Sequence, residues 1–158
     1  HNDAKGFMAR HDANHLIIAN NTILANGRHG VSSFEQAGNW IVANNIIMNN
    51  GNVKGGDGAS MDGTGGNQLL RRNVFWNNGQ NGQKHWSGTF ENSEPLIADP
   101  KMVRPAVYSP QQDPAPNWDN QLLAGSPAIG YADPNYALPF DITGKCRGAA
   151  PDAGAYQR

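Results

Sequence analysis

Three copies of one segment constrain the fold of this chain more than any other feature. Each copy opens with asparagine and closes with asparagine–glycine, and the copies are Asn14–Gly27, Asn39–Gly51 and Asn67–Gly79. A glycine stands 15 residues before an internal asparagine in every copy; these pairs are Gly6 and Asn21, Gly30 and Asn45, and Gly58 and Asn73. The period is 24 and then 28 residues. A fixed period of this length indicates a repeat architecture.

Each repeat is typical of three short apolar strands separated by turns. Strands of this length leave no room for a crossover helix within the period. A coil of about 24 residues with three short strands is the signature of a parallel β-helix, whose coils stack about 4.8 Å apart. The sequence therefore predicts an all-β solenoid of about three coils of 24–28 residues.

The internal asparagines are expected to form a buried ladder, because a side-chain amide can both donate to and accept from the coils above and below. Alternation along the strand after each glycine places one column inward and its neighbour outward. The inward column is Phe7, Val31 and Ala59, and the outward column is Met8, Ser32 and Ser60. Along the next strand two adjacent columns are both apolar, beginning at Ile17 and Ile18, which predicts a covered flank.

The distribution of proline predicts where the coils end. All ten prolines lie at or after Pro95, and proline cannot donate to a β-ladder. We therefore expect coils over residues 1–94 and an irregular, proline-rich C-terminal cap of the same domain over residues 95–158. Further coils, upstream in the chain or from another chain, are expected to stack on the uncapped N-terminal end.

Composition disfavours several classes of partner. Only 16% of residues are charged and the net charge is −1, so no basic surface for nucleic acid is expected. The sequence has no apolar run of about 18 residues, so no membrane-spanning helix is expected. The single cysteine, Cys146, cannot form an internal disulfide.

The C-terminal sequence carries a family resemblance. Gly125–Gln157 reads GSPAIGYADP…DITGKCRGAAPDAGAYQ, and Pro95–Pro100 reads PLIADP. With coil sequences such as NNTILANGRHGV, these segments resemble the terminal part of secreted right-handed parallel β-helix proteins of the pectin-lyase-like superfamily. Gly130, Ala153 and Gln157 replace the aspartate, isoleucine and glutamate that are usual there.

The resemblance implies a right-handed solenoid that is secreted or otherwise extracellular, with the periplasm or cell surface as alternatives. Members of this superfamily are mostly lyases, hydrolases and epimerases of uronate-rich polysaccharides, and a minority are adhesins and phage tailspikes. An acidic polysaccharide is therefore the expected partner. Because a fold alone does not assign chemistry, the site has to be argued from side chains.

The residue before each register glycine defines a predicted column outside the solenoid, with neighbours about 5 Å apart. We expect catalytic residues in and beside this column, namely Lys5, His29, Arg28 and Asp57, with Asn81 continuing it before Gly82. We expect substrate-binding residues on the adjacent outward positions, namely Arg10, Ser32, Phe34, Ser60, Asp62 and Trp86. Phe34 and Trp86 are included because an outward aromatic ring can stack on a sugar.

Cleavage of a uronate by β-elimination is the leading prediction. A cation neutralises the carboxylate and acidifies the C5 proton, a base removes that proton, and a donor protonates the leaving oxygen at C4. Lys5 or His29 suits the base, and Arg10 or Arg28 suits the carboxylate through a bidentate contact. Cationic neighbours would lower the pKa of Lys5.

A glycoside hydrolase on the same scaffold is an alternative, because two carboxylates, Asp57 and Asp62, could flank a scissile bond. The sequence His-Gly-Val-Ser at residues 29–32 resembles a strand of polygalacturonases, although Ala4 and Lys5 stand where those enzymes carry paired aspartates.

Two further alternatives are an epimerase and a non-catalytic carbohydrate-binding or structural β-helix. Gly6–Asp12, GFMARHD, resembles the GFDPHD stretch of mannuronan epimerases, with Met8 replacing the first aspartate. No cofactor is expected, although Asp57 and Asp62 in the glycine-rich 52–66 region could bind Ca²⁺.

Overall fold

The computed structural model describes residues 5–107 and 117–158. Its first twelve strands wind into four coils, and each coil contributes one strand to each of three parallel sheets. Coil 1 contains β1 (Phe7–Ala9), β2 (Ile17–Ala19) and β3 (Thr22–Leu24), and coil 2 contains β4 (Val31–Ser33), β5 (Trp40–Ala43) and β6 (Ile46–Met48). Coil 3 contains β7 (Ala59–Met61), β8 (Gln68–Arg71) and β9 (Val74–Trp76), and coil 4 contains β10 (Trp86–Gly88), β11 (Glu91–Ser93) and β12 (Leu96–Ile97). The predicted parallel β-helix is confirmed.

The sheets are named by the order of their strands within a coil. The first sheet has the order β1-β4-β7-β10, the second β2-β5-β8-β11 and the third β3-β6-β9-β12. Inward side chains fill the interior with a continuous apolar core, which includes Val31, Trp40, Val42, Leu70 and Phe75.

The solenoid has four coils where the repeat predicts about three. The fourth coil was not predicted because it lacks the glycine and the asparagine that mark the earlier repeats. Strand pairing shows which residues take their positions, since Trp86 pairs with Ala59 and Leu96 pairs with Val74. His85 therefore takes the place of the register glycine, and Pro95 takes the place of the ladder asparagine. The expected glycine, Gly82, instead ends a 3₁₀ turn over Gln80–Gly82. The coils thus continue beyond residue 94, into β12.

The asparagine ladder lies at the turn between the second and third sheets. The Asn45 Oδ1 atom accepts from the backbone N–H of Asn21 at 2.8 Å and from its side-chain amide at 3.2 Å. The Asn45 amide donates to Ile18 O at 2.8 Å and to Asn73 Oδ1 at 3.0 Å. Left-handed backbone falls on the residue before each of these asparagines, as at Asn44 with φ 59°.

A second ladder at the next turn is not anticipated by the sequence analysis. Asn26 donates its side-chain amide to Asn50 Oδ1 at 2.8 Å, and Asn50 donates to Asn78 Oδ1 at 3.1 Å. Its sequence signal is the asparagine of each asparagine–glycine pair that closes a repeat. Two adjacent turns are thus held by the same amide chemistry.

The C-terminal segment packs along one side of the solenoid. It contains an antiparallel pair, β13 (Met102–Arg104) and β14 (Asp119–Leu122), and a 3₁₀ turn over Pro134–Tyr136. Its apolar residues join the outward side chains of the third sheet in a second core, which comprises Ile46, Met48, Val74, Met102, Leu122, Ala128 and Ala153. The covered flank is therefore the third sheet.

The flank predicted from Ile17 and Ile18 is wrong in position. Ile18 is buried, but Ile17 is 66% exposed and Ile41 and Leu69 below it are half-buried. Covering the third sheet leaves the outer face of the second sheet partly open. The C-terminal segment reaches as far as coil 1, where the Ala155 N–H donates to Thr22 Oγ1 at 3.1 Å.

Candidate functional site

The backbone register of the first sheet shows which residues form the column that was predicted before the register glycines. The N–H groups of Gly6, Gly30 and Gly58 donate to the carbonyl oxygen that stands two residues before the next coil's strand, at 3.0, 3.1 and 3.1 Å. Those acceptors are His29, Asp57 and Lys84. The column is therefore Lys5, His29, Asp57 and Lys84. Asn81, expected at its fourth position, is wrong because it lies inside the 3₁₀ turn.

We call the surface formed by this column and the two columns beside it the charged face. The column at the middle of the strands is Met8, Ser32, Ser60 and Ser87, and the column after the strands is Arg10, Phe34, Asp62 and Thr89. The character of the charged face changes from coil to coil: coil 1 is cationic, coil 2 carries an imidazole and an aromatic ring, and coil 3 carries two carboxylates.

Lys5 lies half-buried within the charged face. Its Nζ atom lies 3.7 Å from the centroid of the Phe34 ring and donates to Met8 Sδ at 3.6 Å. Burial is the main cause that lowers the pKa of Lys5, and the positive charges of Arg10 and Arg28 lower it further, against an opposing effect of Asp62. A lysine in such surroundings has a larger neutral fraction than one in water.

His29 is held in one tautomer by the backbone. The peptide N–H of Asp57 donates to His29 Nδ1 at 3.0 Å, so a neutral His29 carries its proton on Nε2. The Asp57 carboxylate lies 4.0 Å from the same Nδ1, but it makes no ion pair with an atom that is accepting a proton. Burial lowers the pKa of His29 despite the raising effect of Asp57, which keeps the imidazole neutral.

The two carboxylates of coil 3 have different surroundings. Asp57 is 7% exposed and accepts a short hydrogen bond from Ser87 Oγ, while its backbone N–H, and not its carboxylate, positions His29. Asp62 is exposed and accepts from Ser60 Oγ at 2.6 Å. Only Asp62 presents a carboxylate to a ligand.

Three predicted substrate-binding residues do not reach the surface as expected. Ser32 is fully buried and Ser60 is 3% exposed, so their hydroxyls support neighbouring groups. Trp86 points inward, and its ring centroid lies 5.1 Å from that of Phe75. Trp86 thus packs on the core and cannot stack on a sugar at the charged face.

The two arginines flank Lys5 differently. Arg10 Nη2 lies 3.5 Å from Glu35 Oε1, and Glu35 also contacts His11 Nδ1 at 2.7 Å. Arg28 is exposed, one residue before His29. Arg28 is therefore the more available cation, while Glu35 offsets part of the charge of Arg10.

Two further features concern metal binding and membranes. Within residues 5–107 and 117–158, no three His, Cys, Asp or Glu side chains are grouped so that they could hold a metal ion. A calcium site at Asp57 and Asp62 stays a prediction. The part of the chain that the structure describes has no helix long and apolar enough to cross a membrane.

Sequence reasoning missed Lys84 and Ser87, because the glycine that marks this position in earlier coils is absent. A signal was present: the segment Trp86–Gly88 alternates like the earlier strands of the first sheet, but Trp86 follows its partner Ala59 by 27 residues, whereas the earlier intervals are 24 and 28.

The chain matches a known protein family. Residues 1–94 match the family model described as a right-handed β-helix region. No curated protein and no solved structure matches the chain.

Proposed function

The chain belongs to the right-handed β-helix family, and we propose that it is a secreted lyase that cleaves a uronate-containing polysaccharide by β-elimination. The proposal places it in the pectin-lyase-like superfamily and assigns the reaction to the charged face. The carrying observation is Lys5, an amine with a lowered pKa beside two arginines on an outward sheet face.

In the proposed reaction, the neutral amine of Lys5 removes the C5 proton of a bound uronate. Electrons of the C5–H bond form the C4–C5 double bond as the C4–O bond breaks. The ammonium formed on Lys5 then returns the proton to the leaving oxygen. Lys5 ends neutral, as it began, so the step requires no other proton source.

Negative charge that develops on the uronate carboxylate needs donors in place before the reaction. Arg28 offers a bidentate guanidinium, and the Nε2–H of His29 offers a neutral donor. Because Asp57 fixes Nδ1 of His29 as an acceptor, His29 is better suited to donate a hydrogen bond than to act as the base. We therefore assign the base to Lys5.

The hydrolase alternative has weaker support. Hydrolysis needs two carboxylates that both reach the glycosidic bond, whereas Asp57 is buried and bound by Ser87. Non-catalytic binding of an acidic polysaccharide is the second candidate, favoured by the contact of Lys5 with the Phe34 ring, which could hold the amine as a charge.

The test uses two lysines from one column. Lys5→Met and Lys84→Met remove the same charge, and Lys84 lies in register on coil 4. We expect Lys5→Met to slow formation of the unsaturated product by about 10²–10⁴-fold, the range for loss of a general base. Lys84→Met should retain most of the rate, and both variants should unfold at the wild-type temperature.

The readout is absorbance of the unsaturated uronate on a panel of acidic polysaccharides. Equal rates for the two variants would contradict the role of Lys5. A wild-type protein that binds acidic polysaccharides without forming unsaturated product would instead support the non-catalytic candidate.

A further inference from the structure

A depression lies beside Asp62, at the end of the charged face in coil 3. Its volume is about 360 Å³, within the range of small-molecule pockets. Met61, Asp62, Gly63, Thr64, Gly66 and Thr89 line it. The proposed elimination uses Lys5, Arg28 and His29 and gives Asp62 no role.

The polar groups of this depression suit the hydroxyls of a neutral sugar. The Asp62 carboxylate has about four acceptor positions, and Ser60 Oγ occupies one of them. The exposed Thr89 side chain adds a hydroxyl that both donates and accepts, whereas the Thr64 hydroxyl donates to Glu35 O at 3.0 Å and offers an acceptor. A carboxylate that accepts from vicinal sugar hydroxyls makes charge-assisted hydrogen bonds, which are stronger than neutral ones.

The same carboxylate disfavours an anionic sugar. Asp62 is exposed, and the group that donates to it is the neutral hydroxyl of Ser60. A uronate at this position would meet Asp62 as a like charge, and such a contact is destabilising. Repulsive elements of this kind are a common source of specificity.

The position of Asp62 relative to the Lys5 amine determines which sugar of a bound saccharide lies at Asp62. The Lys5 amine lies over the Phe34 ring of coil 2, and Asp62 follows Phe34 in the same column on coil 3. Coils stack about 4.8 Å apart, close to the length of one sugar in an extended chain. A saccharide lying along the solenoid axis with a uronate at the Lys5 amine therefore places its next sugar at Asp62.

We propose that the depression at Asp62 is a subsite for a neutral sugar, and that the substrate is a heteropolysaccharide whose uronates are separated by neutral sugars. A polyuronate places a second uronate at Asp62, so it fits less well than a polymer with a neutral sugar beside each uronate. This inference rests on the proposed function, because it takes the uronate to bind at Lys5.

The experiment compares Asp62→Asn with Glu91→Gln, which removes the same charge from the outer face of the second sheet. Dissociation constants are measured by calorimetry for fragments of gellan, whose glucuronates are separated by neutral sugars, of hyaluronan, which alternates, and of polygalacturonate. Each titration is run in EDTA and again with Ca²⁺. Unfolding temperatures and unsaturated product are recorded in parallel.

We expect the wild type to bind gellan and hyaluronan fragments more tightly than polygalacturonate fragments. Asp62→Asn should tighten polygalacturonate binding about tenfold through loss of like-charge repulsion, while Glu91→Gln leaves it unchanged. Polygalacturonate binding as tight as gellan binding under either condition, or equal effects of the two substitutions, would overturn the subsite. Absence of binding to all three polymers would overturn both proposals.

Cleavage distinguishes the two proposals from each other. Selective binding of gellan without unsaturated product would leave the subsite standing and contradict the lyase. Formation of unsaturated product from all three polymers at equal rates would leave the lyase standing and contradict the subsite.

Discussion

At the turn between the second and third sheets one asparagine recurs in three successive coils, whereas on the charged face the side chain changes from each coil to the next. Asn45 is fully buried and bonded to the coils on both sides. Lys5, His29 and Asp57 occupy one column, yet they differ in charge and in burial. The recurrent position bonds to its own copies, so coils 1 to 3 all carry asparagine, whose amide both donates and accepts. A column that varies is available to bind something other than the next coil.

The largest effect expected from this contrast is loss of stability at the ladder. Asn45→Ala removes the acceptor of two Asn21 donors and the donors to Ile18 O and Asn73 Oδ1. Buried groups left without partners cost about 1–3 kcal/mol each, so we expect the free energy of unfolding to fall by about 3 kcal/mol. Urea unfolding measures it.

The matched control is Asn21→Ala, on the exposed side of coil 1. Solvent can satisfy the groups that Asn21 leaves, so we expect a loss of about 1 kcal/mol or less. Equal losses of unfolding free energy for the two substitutions would show that the hydrogen bonds of Asn45 to the coils on both sides do not add to stability.

A smaller effect, confined to acid, is expected on the charged face. Burial lowers the pKa of His29, so the unfolded chain binds a proton at a pH where the folded chain does not. Stability therefore falls as pH drops below the ordinary histidine value of about 6.5, until the folded-state pKa is passed. His85, whose pKa burial also lowers, contributes in the same direction.

His29→Asn keeps an acceptor for the Asp57 N–H and removes the titrating ring. Its stability near neutral pH should stay close to that of the wild type, in contrast to Asn45→Ala, while its decline between about pH 7 and pH 5 should be shallower. Urea unfolding at the two pH values measures the slope. An unchanged slope would contradict the assignment of acid sensitivity to His29.

Much of this architecture could be predicted because repetition in the sequence translates directly into stacking. The Asn21–Asn45–Asn73 spacing predicts the ladder and the register of Lys5, His29 and Asp57. Prediction failed where the markers change although the strands persist. At coil 4, Pro95 replaces the ladder asparagine, and the coil is identified by the pairing of its strands with those of coil 3.

The charged face was harder to predict because alternation tells inward from outward but does not measure exposure. Ser32 and Ser60 do point away from the core, yet they are buried. Trp86 is aromatic and near the face, but its strand position turns it toward Phe75. The neighbours that bury these residues come from other coils, and no single strand contains that information.

The measurement that tests the central claim most directly replaces the Lys5 amine and then restores it chemically. Cys146 is exposed and free, so the variant Lys5→Cys is made together with Cys146→Ser and is then aminoethylated. On a polymer that the wild type cleaves, we predict that the unmodified variant forms unsaturated product at least about 10²-fold more slowly. Aminoethylation should restore much of the rate. An unmodified variant as fast as the wild type, or a modified one no faster than its thiol form, would contradict Lys5 as the base.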